Sequence, residues 1–222
     1  MTVWFDNKPQ TESFVDTKAV AEWSPTLGSL RAFLSVAEHR NWEAVAKELK
    51  IDATTAAKQV AKLEGWLHQP LFWQSVPIEM NAAVADTFIP AAINVLQSMQ
   101  KYCLDYTSKN SKFWKLSFSD LSLFLEFSRS INNNRMRASY KNSTLIEEGR
   151  SEISIRRLVK KIELAFGVYK VNSFISGRSL QKLTDDGERF SQELDRSLAL
   201  LNSFRADISR DVLGPHSKAR DF

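Results

Sequence analysis

Cysteine is almost missing from this chain: Cys103 is the one thiol among 222 residues. An intrachain disulfide and a cysteine-built zinc cage are therefore excluded, which suits a reducing compartment. Histidine is nearly as scarce, and His39, His68 and His216 are too scattered to suggest a ligand set. The seven glycines form no phosphate-cradling loop, and no Ser-His-Asp spacing, Cys-His spacing or framed pair of carboxylates is present. Enzymatic activity, a metal and a cofactor are accordingly not expected. No apolar run is long enough to span a membrane, and the opening MTVWFDNKPQ lacks the basic-then-apolar order of a signal peptide. The expectation is a cytoplasmic protein with no membrane partner.

Helical period and positive charge are what the chain does contain. Lys and Arg total 30 against 26 Asp and Glu, and the pI near 9.1 is compatible with a nucleic-acid partner. Ile51 to Phe72 predicts one complete helix. Asp52 is its cap, Ala56, Val60, Leu63 and Leu67 fall on one stripe, Thr54, Ala57, Lys58 and Ala61 face the other way, and Pro70 closes it. Leu27, Leu30, Phe33, Leu34 and Ala37 predict an earlier helix, and Val45, Ala46 and Leu49 a second, with Asn41 and Trp42 between them. After Phe72, Val76, Ile78 and Met80 alternate as in a two-stranded ribbon. Asn81 is then placed to cap a long helix carrying Phe88, Ala91, Val95, Met99, Tyr102 and Tyr106, in which Pro90 predicts a kink or a break. Residues 1–25, with Trp4, Phe5, Phe14 and Trp23, have no period and predict an arm that covers the first core or meets a partner.

The pattern then begins again. Leu30, Phe33, Leu34 and Val36 are answered by Leu121, Phe124, Leu125 and Phe127; Ala56, Val60, Leu63, Glu64 and Leu67 by Ile155, Val159, Ile162, Glu163 and Phe166. Asn81 is answered by Thr184, which opens a final helix with Phe190, Leu194, Leu198, Leu201, Phe204 and Ile208 on one side. The expected fold is mostly α: two tandem winged helix-turn-helix units, each followed by a long linker helix that pairs with the other. Its boundaries are an arm at 1–25, a first unit at 26–80, a linker helix at 81–107, a loop at 108–113, a second unit at 114–183, a second linker helix at 184–209 and a flexible tail at 210–222.

Leu30, Phe33, Val36, Ala37 and Glu38, then Asn41 and Trp42, then Leu63, Glu64, Leu67, Pro70, Leu71 and Phe72 stand in a register that resembles the winged helix-turn-helix of LysR-type transcriptional regulators. The second copy is similar from Ser151 to Val168 and again over Leu183 to Phe190. The resemblance implies a bacterial transcription regulator that binds duplex DNA, with linker helices pairing antiparallel so that two winged helices address successive turns. There are departures. Where the family's third helix opens with a DNA-facing run, this chain has Asp52 to Lys58, in which only Lys58 is basic, and Glu43 stands where the family has a neutral hydroxyl near phosphate. The family's large effector-binding domain has no room in this length, so sensing of a small inducer is not expected.

The two copies differ in charge. Leu27 to Met80 holds six basic and six acidic residues, whereas Leu116 to Thr184 holds twelve and six. The second unit thus carries the electrostatic footprint that phosphate demands. The DNA-contacting residues expected are Thr54, Thr55, Lys58 and Lys62 in the first unit and Arg150, Ser154, Arg156, Arg157, Lys160, Lys161, Arg178 and Lys182 in the second. Arg156 or Arg157 is suited to a guanine edge, and Lys160 and Lys161 to phosphate. RNA polymerase or another regulator is a partner expected for the arm, and a homodimer is a further expectation. Two alternatives stay open: a plasmid-type replication initiator with tandem winged helices, and a protein-binding winged-helix adaptor.

Overall fold

The computed structural model describes residues 24–73, 77–104, 111–132, 152–169, 173–176, 180 and 182–212. The fold is mostly α. Helices α1 (Leu27–His39), α2 (Trp42–Leu49) and α3 (Ala53–Leu67) are followed by a hairpin of β1 (Phe72–Trp73) and β2 (Glu79–Met80), then by the long α4 (Ala82–Gln100). A single turn, α5 (Ser111–Trp114), leads to α6 (Phe118–Asn132), α7 (Glu152–Phe166) and the long α8 (Asp185–Val212). The arm expected before Ser24, the polar stretch between α6 and α7, Val76 of the expected first ribbon, residues 177–179, and the tail expected after Val212 lie outside the described residues.

The local signals act as the chemistry of helix ends requires. The Asp52 carboxylate accepts from Thr55 N at 2.7 Å, and Ala56, Val60, Leu63 and Leu67 are all buried. His68 stops α3 in a left-handed conformation two residues before Pro70, and Arg40 and Lys50 end α1 and α2 in the same way. Asn41 accepts from Glu43 N and Ala44 N at the start of α2. Some expectations need correction. Asn81 precedes α4 but makes no side-chain cap; its amide donates to the Pro70 carbonyl at 3.1 Å and ties the helix to the turn after α3. Pro90 neither breaks nor ends α4, for it sits on the exposed side of a helix that runs on to Gln100, where water can serve the carbonyl the missing N–H would have bonded. That helix also ends before residue 107, and the stretch expected as a loop at 108–113 includes the start of α5, whose Phe113 is fully buried.

The long helices run antiparallel. Phe88 meets Phe204 with ring centroids 4.8 Å apart, the Ser98 hydroxyl donates to the Glu193 carboxylate at 2.6 Å, and Tyr102 meets Phe190 at 5.3 Å. Helix α8 packs against both α4 and α6, and α5 wedges between α1 and α7, where Phe113 contacts Phe166 at 5.4 Å. Arg31 lies 4.6 Å over the Trp114 ring, and partial burial lowers its pKa, with Glu48 opposing.

Several hydrogen bonds recur about a hundred positions apart. Glu64 Oε1 accepts from Leu71 N at 2.7 Å and Phe72 N at 3.2 Å; Glu163 Oε1 accepts from Phe174 N at 2.9 Å and Ile175 N at 3.3 Å. Asn81 N donates to Leu71 O, and Thr184 N to Phe174 O. Thr26 and Ser29 form a reciprocal capping box before α1, as Ser117 and Asp120 do before α6. Thr26 and Ser117 are themselves joined by an antiparallel bridge, in which Leu27 N donates to Leu116 O at 3.0 Å and Phe118 N to Pro25 O at 2.9 Å.

Candidate nucleic-acid interface

Helix α3 buries one stripe against α1 and α2, so its other face is available. Thr54, Lys58 and Lys62 are exposed along it. Thr55 is not presented in the same way: its hydroxyl donates to Asp52 Oδ2 at 2.5 Å, so it serves the cap. That bond, with the backbone bond from Thr55, holds the Asp52 carboxyl below its ordinary pKa. Beside α3, a groove of about 980 Å³ is bounded by the α1–α2 turn and the hairpin, with Trp42, Phe72, Trp73 and Ile78 as its apolar lining. Glu43 is exposed in the first turn of α2.

Helix α7 presents a more basic face. Ser154, Arg156, Arg157, Lys160 and Lys161 are placed along it, while Ile155, Val159, Ile162 and Phe166 form its buried side. Ile153, 61% exposed, sits among the cations and offers an apolar contact of the kind a thymine methyl accepts. The cations are held differently. Arg156 is forked onto Glu152 one turn earlier, with Nε at 2.8 Å from Oε1. Lys161 Nζ lies 2.7 Å from Asp120 Oδ2, and Lys160 sits 5.5 Å over the Tyr169 ring. Arg157 forms no ion pair among the described residues, which leaves its guanidinium available to a ligand. Lys182 is exposed beside the isolated bridge of Ile175 with Leu183, and its carbonyl accepts from Ser176 N at 2.8 Å. Arg150 and Arg178 lie outside the described residues.

The two faces meet. A cleft of about 860 Å³ is lined by Lys58, Ala61 and Lys62 of α3, by Lys161 of α7, and by Ser24, Thr26, Lys115 and Asp120 at the bridge between them. A second cavity of about 430 Å³ continues it, lined by Lys112, Lys115, Arg157, Lys160, Lys161 and Leu164. Lys115 and Lys161 belong to both, so one basic track runs from α3 across the bridge to α7. Lys112 and Lys115 are functional candidates that the sequence pattern does not point to. Their signal, two lysines either side of an aromatic pair in KFWK, reads as an ordinary solvated loop until the burial of Phe113 fixes the turn beneath them.

Among the described residues no helix is long and apolar enough to cross a membrane, and no group of three or more His, Cys, Asp or Glu could hold a metal ion. No curated protein and no solved structure matches the chain. Residues 27–83 match the family model described as bacterial regulatory helix-turn-helix protein, lysR family. That span, α1 through the start of α4, is a LysR-like DNA-binding domain of the kind that serves transcription regulation.

Proposed function

We propose that the chain is a sequence-specific transcription regulator that binds duplex DNA as an intramolecular pseudo-dimer of two winged helix-turn-helix units. The observation that carries it is the basic track linking α3, inside the matched domain, to α7, outside it. Two outward helices bordering one cleft suit a single duplex laid across both. The recurrent bonds of Glu64 and Glu163, and the reciprocal bridge between Thr26 and Ser117, support a duplication whose halves face each other about a pseudo-twofold axis. The halves are not alike, since Ala57 and Ala61 stand where the second has Arg156 and Lys160. The site is therefore asymmetric, with α7 its stronger reader and Arg157, which has no ion pair among the described residues, at a base edge.

The test is selection of bound duplexes from random sequence, followed by affinity measurements across a salt series. Binding should weaken linearly on a logarithmic salt scale. Arg157→Ala should cost about 1–3 kcal/mol and relax preference at one base pair. A symmetrised site bound equally well through both halves overturns the asymmetric reading, and affinity indifferent to salt overturns DNA binding. The apolar groove beside α3 favours a second reading, in which the first unit docks a protein and only the second grips DNA. In that case Lys58→Ala leaves DNA affinity unchanged.

A further inference from the structure

Resting on that reading, we propose that the turn joining the two units is itself a DNA contact: Lys112 and Lys115, with Lys160 and Lys161, form a clamp for the phosphate backbone between the two half-sites. A regulator assembled from two separate chains has no covalent connection there to carry such a clamp. Here the connection is short, and burial of Phe113 against Phe166 and Trp114 anchors it while Lys112 and Lys115 stay exposed.

The chemistry of the 430 Å³ cavity selects an anion. Its lining holds five cations and Leu164, and no carboxylate among the described residues. Asp120 lines the adjoining cleft, and it neutralises a single member of the track, Lys161. Like charges collected so closely repel one another and gather counterions, whose release favours a polyanion. Lysine suits this role because it meets phosphate as a flexible point charge and does not need the fixed fork with which arginine reads a base.

Position then narrows the anion to duplex backbone. The cavity shares Lys115 and Lys161 with the cleft that holds Lys58 and Lys62, so a strand running from those lysines on toward Arg157 has it in its path. The cluster is also peculiar to one half. Counted through the repeat, the six lining positions correspond to Ala21, Ser24, Lys58, Ala61, Lys62 and Gly65, of which two are cationic. The clamp therefore sits off the pseudo-twofold, toward the second unit, and it gives the bound duplex a polarity that the two recognition helices alone would supply less strongly.

The deciding experiment uses the full chain and its selected duplex. Lys112→Gln with Lys115→Gln should lower the slope of log affinity against log salt by roughly two, at about 0.9 for each phosphate no longer neutralised. Preference among base sequences should stay as in the wild type, and phosphate-ethylation interference between the half-sites should vanish. Lys47→Gln with Lys50→Gln removes the same charge from exposed positions away from the cavity and should leave the slope unchanged. An unaltered slope in the Lys112, Lys115 variant, with wild-type DNA binding intact, overturns the clamp alone. So does a slope that falls equally in both variants. If the wild type shows no salt-dependent duplex binding, the parent reading falls with it. Inorganic tripolyphosphate is the probe for a free anion: saturable binding abolished in the Lys112, Lys115 variant, with the DNA slope untouched, assigns the cavity to a small ligand and overturns the clamp.

Discussion

At the scale of single residues, one carboxylate on α3 and one on α7 organise the chain that follows each helix. Glu64 and Glu163 each accept two backbone N–H groups from the segment that comes next, but Glu163 is 4% exposed and Glu64 is only partly buried. Burial pushes the Glu163 pKa up, and the two backbone bonds, from Ile175 and Phe174, pull against that shift. A carboxyl with a raised native pKa keeps its proton where the unfolded chain has released it. The native state is therefore favoured at low pH, and loses that advantage as pH rises from the ordinary glutamate range through the raised value. Urea midpoints measured against pH should fall across that window in the wild type and flatten in Glu163→Gln. Glu163→Ala strands two buried N–H groups, at about 1–3 kcal/mol each. Glu64→Ala should cost less, because Glu64 is only partly buried and water can enter where its carboxylate stood, and equal losses would contradict this difference.

At the scale of elements, close approach decides which substitutions the helices tolerate. A Cβ at Gly187, in the first turn of α8, would stand 2.0 Å from the Phe174 carbonyl oxygen, on the segment that Glu163 holds. Gly65, inside α3, has nothing within 4 Å. Gly187→Ala should lower stability by about 1–3 kcal/mol through forced displacement of α8. Gly65→Ala should raise it by roughly 0.5–1 kcal/mol through helix propensity, and thermal unfolding of the two variants checks the contrast in sign. The same distinction separates what is legible in the sequence from what is not. Asp52 and the stripe Ala56, Val60, Leu63 and Leu67 are legible because cap and period are local. Asn81 is not, because its amide reaches Pro70, eleven positions away, in place of the helix it precedes. At the candidate interface, the cations of α7 are legible from their spacing. Their pairing is not: the engagement of Lys161 by Asp120 and the joining of its face to Lys115 depend on how α5 and α6 pack.

At the scale of the whole molecule, the two halves share a core. Phe88 of α4 meets Phe204, Trp66 of α3 meets the start of α6 at Phe118, Leu104 N donates to Phe166 O, and the buried residues form one continuous cluster. Two beads on a linker would melt separately, whereas a core that crosses the boundary couples them. The chain supplies its own reporter, because all six tryptophans lie at or before Trp114. Tryptophan fluorescence thus senses the first unit and the junction, while far-UV circular dichroism senses helices in both. The two signals should trace the same urea transition. Phe88 is fully buried between Phe33 and Phe204, so Phe88→Ala should cost about 3–5 kcal/mol. Because Phe204 belongs to α8, that loss should move both signals to the same new midpoint. A dichroism trace that keeps a phase at the wild-type midpoint while fluorescence shifts would show that the second unit stands alone. The rigid presentation of α3 and α7 to one duplex would then lose its structural basis.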